Sequence, residues 1–295
     1  MLKKKKQIKS KKTIQKHPLL NKYRPVTPGT RGLIRLKKKH LWKGNPEKSL
    51  CVRVKNTGGR NNVGRKTITG RGGGYKKIYR KIDFHRFKDN SVEAYVKRIE
   101  YDPNRTANIA LLQDGNNNYS YIVAPEGISE GQKIHAGDNN VDILVGNCTY
   151  LENIPLGSNI YNIELTPGKG AQIVRSAGVT AKLVGREDGY SVVELPSKEL
   201  RKFSGKCKAT IGTISNAIRS KIRLSKAGDK RRLGKVPRVR GVAKNPVDHP
   251  NGGDTSGGKK FTNFTGRVVK GKKTRKKNKL SDRYISSKRK SKKKG

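Results

Sequence analysis

From about Leu50 the chain alternates apolar and polar side chains with period two, and turn residues cut the runs at intervals of about ten residues. Val92 to Tyr101 and Ala107 to Leu112 both follow this rhythm, with Asp102-Pro103-Asn104 between them. Asp114-Gly115-Asn116 makes the next turn, Tyr119 to Val123 the next strand and Pro125-Glu126-Gly127 the next break. Short antiparallel strands of this kind close most naturally into a small β-barrel. A second set is expected at Val141 to Val145, Ile160 to Leu165, Ala171 to Arg175, Val179 to Val184, Tyr190 to Leu195 and Lys208 to Ile211, divided by Gly168-Lys169-Gly170 and Asp188-Gly189. That is enough for a second barrel, with the junction at the polar stretch Gly137 to Asn140.

The flanks read differently. Residues 1–49 mix lysine clusters with Pro18, Pro25, Pro28 and Pro46, too little apolar surface to offset the entropy of ordering in isolation. This is expected to be an arm that folds on its partner, with Tyr23, Leu41 and Trp42 docking. From Arg219 onward the chain is basic again, and no regular structure is expected there. The organisation is therefore a basic extension at 1–49, a barrel at 50–137, a second barrel at 138–218 and a basic extended tail at 219–295.

Charge sharpens that division. The 295 residues carry 70 Lys+Arg against 21 Asp+Glu, a net +49. Residues 1–91 hold 29 basic and 3 acidic side chains, 92–200 hold 9 and 14, and 201–295 hold 32 and 4. The excess lies wholly in the flanks, which excludes an ordinary compact enzyme, since a body so charged would repel itself. Long arms instead spread the charge until a polyanion neutralises it, so RNA or DNA is the expected partner.

Membrane binding is not expected. Surface helices that bind lipid couple basic charge to an apolar face, whereas this chain has one Trp, no such face and no run approaching the roughly 20 apolar residues of a span. Met1-Leu2 followed by Lys3 to Lys6 lacks the apolar core of a secretory signal and the arginine-rich pattern of a transit peptide. Cys51, Cys148 and Cys207 are odd in number and widely spaced, which supports neither a disulfide framework nor a zinc site. Reduced thiols used in packing are expected.

Three stretches invite functional readings. Gly253 to Lys259 has the spacing of a phosphate-binding loop, but position 260 is Lys where a magnesium-binding Ser or Thr is required, so nucleotide hydrolysis is rejected. Gly70-Arg71-Gly72-Gly73-Gly74-Tyr75-Lys76 sits among Arg60, Arg65 and Lys66. Its glycines would let backbone approach a sugar-phosphate chain while Tyr75 stacks on a base; a flexible linker is the competing reading. Asp248-His249 resembles an acid–base pair, yet sequence neighbours in extended chain point opposite ways and no nucleophile lies nearby. His249, between Pro246 and Pro250, is better read as a donor to RNA in a rigid turn.

Five strings together resemble the universal large-subunit ribosomal protein family called L-two. They are Gly58 to Arg65; Gly72 to Lys77 with Tyr79-Arg80 and Asp83-Phe84; Glu100 to Ala110; Pro167 to Gln172 with Arg175 to Gly178; and Arg240 to Pro250, in family order from about residue 22 to the end. The resemblance implies a mainly β fold, an OB-fold barrel followed by an SH3-like barrel, with extensions buried in ribosomal RNA. It implies that Arg105 and Arg175 face RNA from the two barrels, and that His249 lies toward the peptidyl transferase centre as an RNA contact. A catalytic His249 is the rival role. The full set assigned to RNA contact is Arg60, Arg65, Arg71, Tyr75, Lys76, Arg80, Arg105, Lys169, Arg175, Arg238, Arg240, Asn245, Asp248, His249 and Asn251.

The chain also departs from the family pattern. After His249-Pro250 the family's second histidine and its Gly-Glu-Gly are replaced by Asn251-Gly252-Gly253-Asp254, and Lys244 stands where Met is usual. The resemblance implies a structural constituent of the large subunit, not an enzyme, with ribosomal RNA, neighbouring ribosomal proteins and, through a bridge, the small subunit as partners. No cofactor is called for; magnesium or potassium at the RNA interface is compatible, with no residue set marking a site. Lys (46), Asn (22) and Ile (21) outnumber Ala (12), as in an A+T-rich genome, which together with the resemblance suggests a mitochondrial ribosome, with a plastid or bacterial cytoplasm as alternatives. A histone-like DNA compactor is the rival that charge alone would permit.

Overall fold

The computed structural model describes residues 17–87, 92–138, 141–253, 260–271, 275 and 278–289. The fold is mainly β and carries the two expected barrels, OB-fold then SH3-like. One 11-stranded sheet runs through both. Its first part is the meander Val92–Glu100, Ile109–Asp114 and Tyr119–Val123, with Lys133–Ala136 paired on the other side of Val92–Glu100. A single parallel contact, Ala136 with Cys148, passes the sheet to Cys148–Tyr150. From there it continues through Lys208–Ile211, Asn159–Tyr161, Ala181–Glu187, Tyr190–Glu194 and Leu200–Ser204.

Alternation explains the cores. In Val92–Glu100, Ala94 and Val96 point inward to meet Ala110, Leu112, Ile122 and Ile134. A register shift between Val96 and Arg98 then brings Ile99 into that core and turns Glu100 to the opposite face, beside Ile109 and Tyr121. The run Ile109–Leu112 is buried on both faces: Ala110 and Leu112 fill the barrel, while Ile109 and Leu111 pack with Tyr121 under Leu50 and Ile82. The second core gathers Leu151, Ile154, Ile160, Ile163, Leu183, Val193 and Phe203, each large side chain contributing about 1.5–3 kcal/mol by burial. Ala107, Val123, Tyr161 and Ile214 form a separate cluster joining the two barrels.

Several expectations need correction. Val141 to Val145 is not a strand: Asn147 Nδ2 donates to the Asp142 carbonyl, and the turn this holds leaves Ile143, Leu144 and Val145 in solvent. The expected strand from Ile160 to Leu165 is broken at Asn162, which takes φ 50° so that its N–H reaches the Val174 carbonyl. The N-terminal extension forms structure on the chain itself. Leu20–Lys22 pairs with Ile34–Leu36, and Ile34 bridges to Arg223 of the tail. Leu41 is buried, and Trp42 donates its backbone N–H to Ile99 with its ring under the Arg98 guanidinium.

The tail also has regular structure where none was expected. A helix spans Ala227–Arg232, and 3-10 turns form at Gly241–Ala243 and Leu280–Tyr284. Ile285–Ser287 then pairs with Leu200–Ser204 at the sheet edge. The physical reason is that an open strand edge orders a partner strand even of polar sequence, because it satisfies backbone groups. The stretch 254–259, which held the rejected phosphate-loop reading, and residues 139–140 of the proposed junction lie outside the described residues.

All three cysteines are free thiols. Cys148 and Cys207 sit in the cores, and burial raises both, Cys207 to about 12. Because the thiolate is the reactive form, iodoacetamide at pH 8 should leave both unmodified in the native protein, and denaturant should release them. Mass spectrometry of the alkylated peptides reads this directly.

Candidate nucleic-acid interface

The segment Ile78 to Phe87 threads between the barrels and meets Arg105 through Tyr79 and Arg175 through Phe84. At one end is the turn Asp102-Pro103-Asn104-Arg105. The Asp102 carboxylate is wholly buried and accepts from the Asn104 backbone N–H at 2.8 Å and from Asn104 Nδ2 at 2.9 Å. It also holds Arg105 Nε at 2.6 Å, with Arg80 Nη1 at 3.9 Å. Arg80 and Asn104 Nδ2 both donate to the Ile78 carbonyl, which ties the turn to the threading segment. An Asp that bonds its own backbone two residues on makes the turn rigid. Arg105 is consequently fixed through Nε, its guanidinium carbon 5.8 Å from the centre of the Tyr79 ring.

Next to it, Glu100 is buried and accepts from Arg98 Nε at 2.7 Å and from the Tyr121 hydroxyl at 3.0 Å. The Glu47 backbone N–H in turn donates to that hydroxyl at 2.9 Å, which anchors the incoming arm. Desolvation together with the Glu100 charge pushes Tyr121 up to about 12, so it remains a donor throughout the physiological range.

Farther along, Phe84 lies beneath Arg175, with the guanidinium carbon 5.0 Å from the ring centre. The Ala171 N–H donates to the Phe84 carbonyl, which brings in the turn Pro167 to Gly170. Glu164 organises that turn from inside. Its carboxylate is buried and accepts backbone N–H bonds from Gly170 at 2.9 Å, Lys208 at 3.1 Å and Gly168 at 3.3 Å. The turn therefore presents Lys169 to solvent from a fixed base. The Arg105 and Arg175 loops are tied together: the Ala177 N–H donates to Thr106 Oγ1 at 3.1 Å, and Asn216 Nδ2 donates to the Thr106 carbonyl at 2.7 Å.

The glycine-rich stretch is neither a linker nor open backbone. Gly70 to Tyr75 pairs with Arg232 to Val236 of the tail, through Val236 to Gly70, Gly72 to Gly234 and Tyr75 to Arg232 hydrogen bonds. A Cβ on Gly72 would come within 2.8 Å of Val236 Cγ1, and one on Gly74 within 2.8 Å of the Arg232 carbonyl and the Gly234 nitrogen. The glycines are needed for close approach, but to the chain's own tail. Gly74→Ala, at φ 70°, is therefore expected to undock these segments, which limited trypsin digestion would detect as faster cleavage after Arg71 and Arg232. Around this seam Arg60, Arg65, Arg71, Tyr75 and Lys76 are exposed, as are Arg238, whose Nε donates to Thr69 Oγ1, and Arg240.

The loop from Lys244 to Gly253 closes on itself, the Gly253 N–H meeting the Lys244 carbonyl at 2.9 Å. His249 accepts the Asn251 N–H at Nδ1, which puts its proton on Nε2, and its ring lies against Gly241, where a Cβ would sit 2.3 Å from Cε1. The described hydrogen bonds hold none between Asp248 and His249. Asn245 and Asp248 are exposed. Asn251 is buried and its side chain is engaged internally, Nδ2 on the Lys260 carbonyl and Oδ1 receiving the Thr262 N–H and hydroxyl. It clasps the loop that follows.

The buried carboxylates Asp102, Glu100 and Glu164 were missed in the sequence, although Asp-Pro-Asn carried a turn signal that foretells the first. Among the described residues, no group of three or more His, Cys, Asp or Glu is placed to hold a metal. No helix there is long and apolar enough to cross a membrane.

Comparison with known proteins agrees with this layout. Residues 47–136 match the family model described as Ribosomal Proteins L2, RNA binding N-terminal domain. Residues 144–278 match that described as Ribosomal Proteins L2, C-terminal domain. The chain is 50% identical over 274 residues to the large ribosomal subunit protein uL2 of Rickettsia canadensis, covering 92% of this chain and 99% of that protein. To the protein of the same name from Rickettsia rickettsii it is 51% identical over the same shares. Two matched domains in order, and half-identity along nearly the whole length, place this chain in the ribosomal protein L2 family.

Proposed function

We propose that the protein is a structural constituent of the large ribosomal subunit that binds and orders large-subunit ribosomal RNA near the peptidyl transferase centre and supports association of the two subunits. The observation that carries this is the set of positioned cations, Arg105 held by buried Asp102, Arg175 stacked over Phe84 and Lys169 on the turn that buried Glu164 anchors, flanked by arms that hold 45 of the 70 Lys+Arg side chains. Rigid arginines fork phosphate oxygens, while the arms supply sequence-independent neutralisation. The RNA contacts are assigned to Arg60, Arg65, Arg71, Tyr75, Lys76, Arg80, Arg105, Lys169, Arg175, Arg238, Arg240, Asn245, Asp248 and His249. Asn251 acts one step back, by holding the loop shape.

The role is architectural and not catalytic. His249 has one ring nitrogen engaged within its own loop and, among the described residues, no carboxylate hydrogen-bonded to it. Neighbouring large-subunit proteins and, through a bridge, the small subunit complete the partners. The composition supports an organelle ribosome, a mitochondrial one first, and the Rickettsia relatives fit a bacterial cytoplasm equally well. A DNA-compacting role has no support from family membership.

Sucrose-gradient sedimentation of lysate at high salt tests this. The protein should travel with the large subunit and be released by ribonuclease. Sedimentation alone, or with genomic DNA after ribonuclease treatment, would contradict the proposal. Gradients of purified organelles and of whole lysate separate the two cellular placements.

A further inference from the structure

One loop is built twice. Asn-x-x-Gly-Arg occurs at Asn61 to Arg65, beside the first barrel, and at Asn263 to Arg267, near the end of the tail. Both fold into the same hairpin tip. In each, the Asn N–H donates to the Arg carbonyl, at 2.9 Å in both copies. The Gly N–H donates to the Asn carbonyl at 3.1 Å and 3.0 Å. The Asn side-chain Oδ1 accepts the Arg N–H at 2.8 Å and 2.9 Å. The outer rung matches as well, Thr67 to Gly59 at 2.9 Å and Val269 to Phe261 at 3.0 Å, around the bridges Arg60–Lys66 and Thr262–Val268. Gly64 and Gly266 take φ 77° and 80°, a conformation glycine adopts without strain.

The second copy is the better braced. Thr265 adds its N–H at 3.0 Å and its hydroxyl at 2.7 Å to the same Asn263 oxygen, and Asn251 clasps the base of the hairpin through Thr262. Its tip also carries Phe264, a large ring left 48% exposed. The guanidinium of Arg267 is exposed, as is that of Arg65.

We propose that the 261–269 hairpin is a second RNA-gripping site equivalent to the 59–67 hairpin, in which Arg267 forks a backbone phosphate and Phe264 stacks on an unpaired base. The inference rests on the RNA-binding function above. A frame locked by side-chain and backbone bonds loses little freedom when its arginine is engaged, and a fork is geometrically demanding in a way a point charge is not. An exposed ring beside a phosphate-seeking cation matches how single-stranded RNA is held, since every base offers a face for stacking. A solvated charged tail would need neither the repeated frame nor the ring.

The test uses the full chain and large-subunit ribosomal RNA transcribed from the genome that encodes it, with Kd measured across a potassium chloride series. Arg267→Ala and Arg65→Ala should each flatten the slope of log affinity against log salt by about 0.7–0.9, one phosphate apiece. Arg267→Lys and Asn263→Ala keep the charge, so the slope should hold while binding weakens roughly fivefold or more through lost geometry. Phe264→Ala should leave the slope alone and weaken binding about fivefold or more. Unchanged melting temperatures confirm that the variants fold. If the unaltered chain binds this RNA no better than duplex DNA, the function and the inference both fall. If it prefers the RNA while Arg267→Lys, Asn263→Ala and Phe264→Ala all bind within twofold of it, the hairpin proposal alone is overturned.

Discussion

Glu164→Ala should destabilise the second barrel by about 4 kcal/mol, the largest single effect expected in this protein. Its carboxylate accepts three backbone N–H groups, from Gly168, Gly170 and Lys208. Water can replace it at exposed Gly168, but the other two donors are buried and would be left without partners. Each such orphan costs about 1–3 kcal/mol, added to the loss of bonds strengthened by the acceptor's charge. At roughly 2–4 °C per kcal/mol for a body of this size, the melting temperature should fall by about 10–15 °C in calorimetry. Glu164→Gln keeps one acceptor oxygen and should lose less. In the alanine variant the Pro167 to Gly170 turn loses its internal anchor, so Lys169 should lose RNA affinity even at temperatures where the protein remains folded.

Arg105 is expected to give the next largest effect, and the two obvious substitutions separate its roles. Arg105→Ala strands Asp102, a carboxylate with no solvent access, with Arg80 at 3.9 Å as its remaining cation among the described residues. Breaking a buried pair on one side costs about 3–5 kcal/mol; Arg80 and the Asn104 donors lower that here to about 2–3 kcal/mol. Arg105→Lys restores a charge near Asp102 and should recover most of the stability. It cannot reproduce the planar fork, so RNA affinity should still fall roughly tenfold. Chemical denaturation and filter binding on both variants measure the two quantities independently. Equal affinity for the lysine variant and the unaltered chain would show that Arg105 acts only inside the protein.

How far the sequence carried the account follows from which interactions leave a periodic trace. Tyr119–Val123 and Lys208–Ile211 stand where the pattern put them, since Ile122 fills the first barrel, Ala209 and Ile211 fill the second, and their neighbours are buried on the opposite face. Val141 to Val145 has apolar residues without a buried face, since Asn147 fastens that stretch as a turn. The break at Asn162 leaves no apolar signal, only an Asn, a residue that tolerates left-handed backbone. The arginines of the site were legible through the family motifs. Their supports were not, since Glu164 sits in an ordinary Ile-Glu-Leu run and its three partners lie 4, 6 and 44 residues away. The glycines of 70–74 were noticed, but their need for close approach is met by the tail some 160 residues later, a pairing composition does not encode.

The arms follow the same logic. Their composition predicts no core of their own, and their described residues dock on the barrels and on each other. Trp42 and Leu41 attach the first arm to the OB barrel, while Ile34 joins it to Arg223 of the tail. Such docking adds positive surface beside residues 92–200, which hold 14 acidic against 9 basic side chains, so the proposed RNA-facing side is assembled from segments distant in sequence.

The central claim is that braced cations on the barrels and the seam between loop and tail face RNA, while the acidic edges do not. Ultraviolet crosslinking of intact large subunits, with RNA-linked peptides identified by mass spectrometry, tests it most directly. Crosslinks should concentrate in 58–80, 102–106, 167–176 and 232–251, with Tyr75 prominent, and be absent from 126–131 and 187–190. Crosslinks at 126–131 and 187–190, with none at 102–106 or 167–176, would contradict the account.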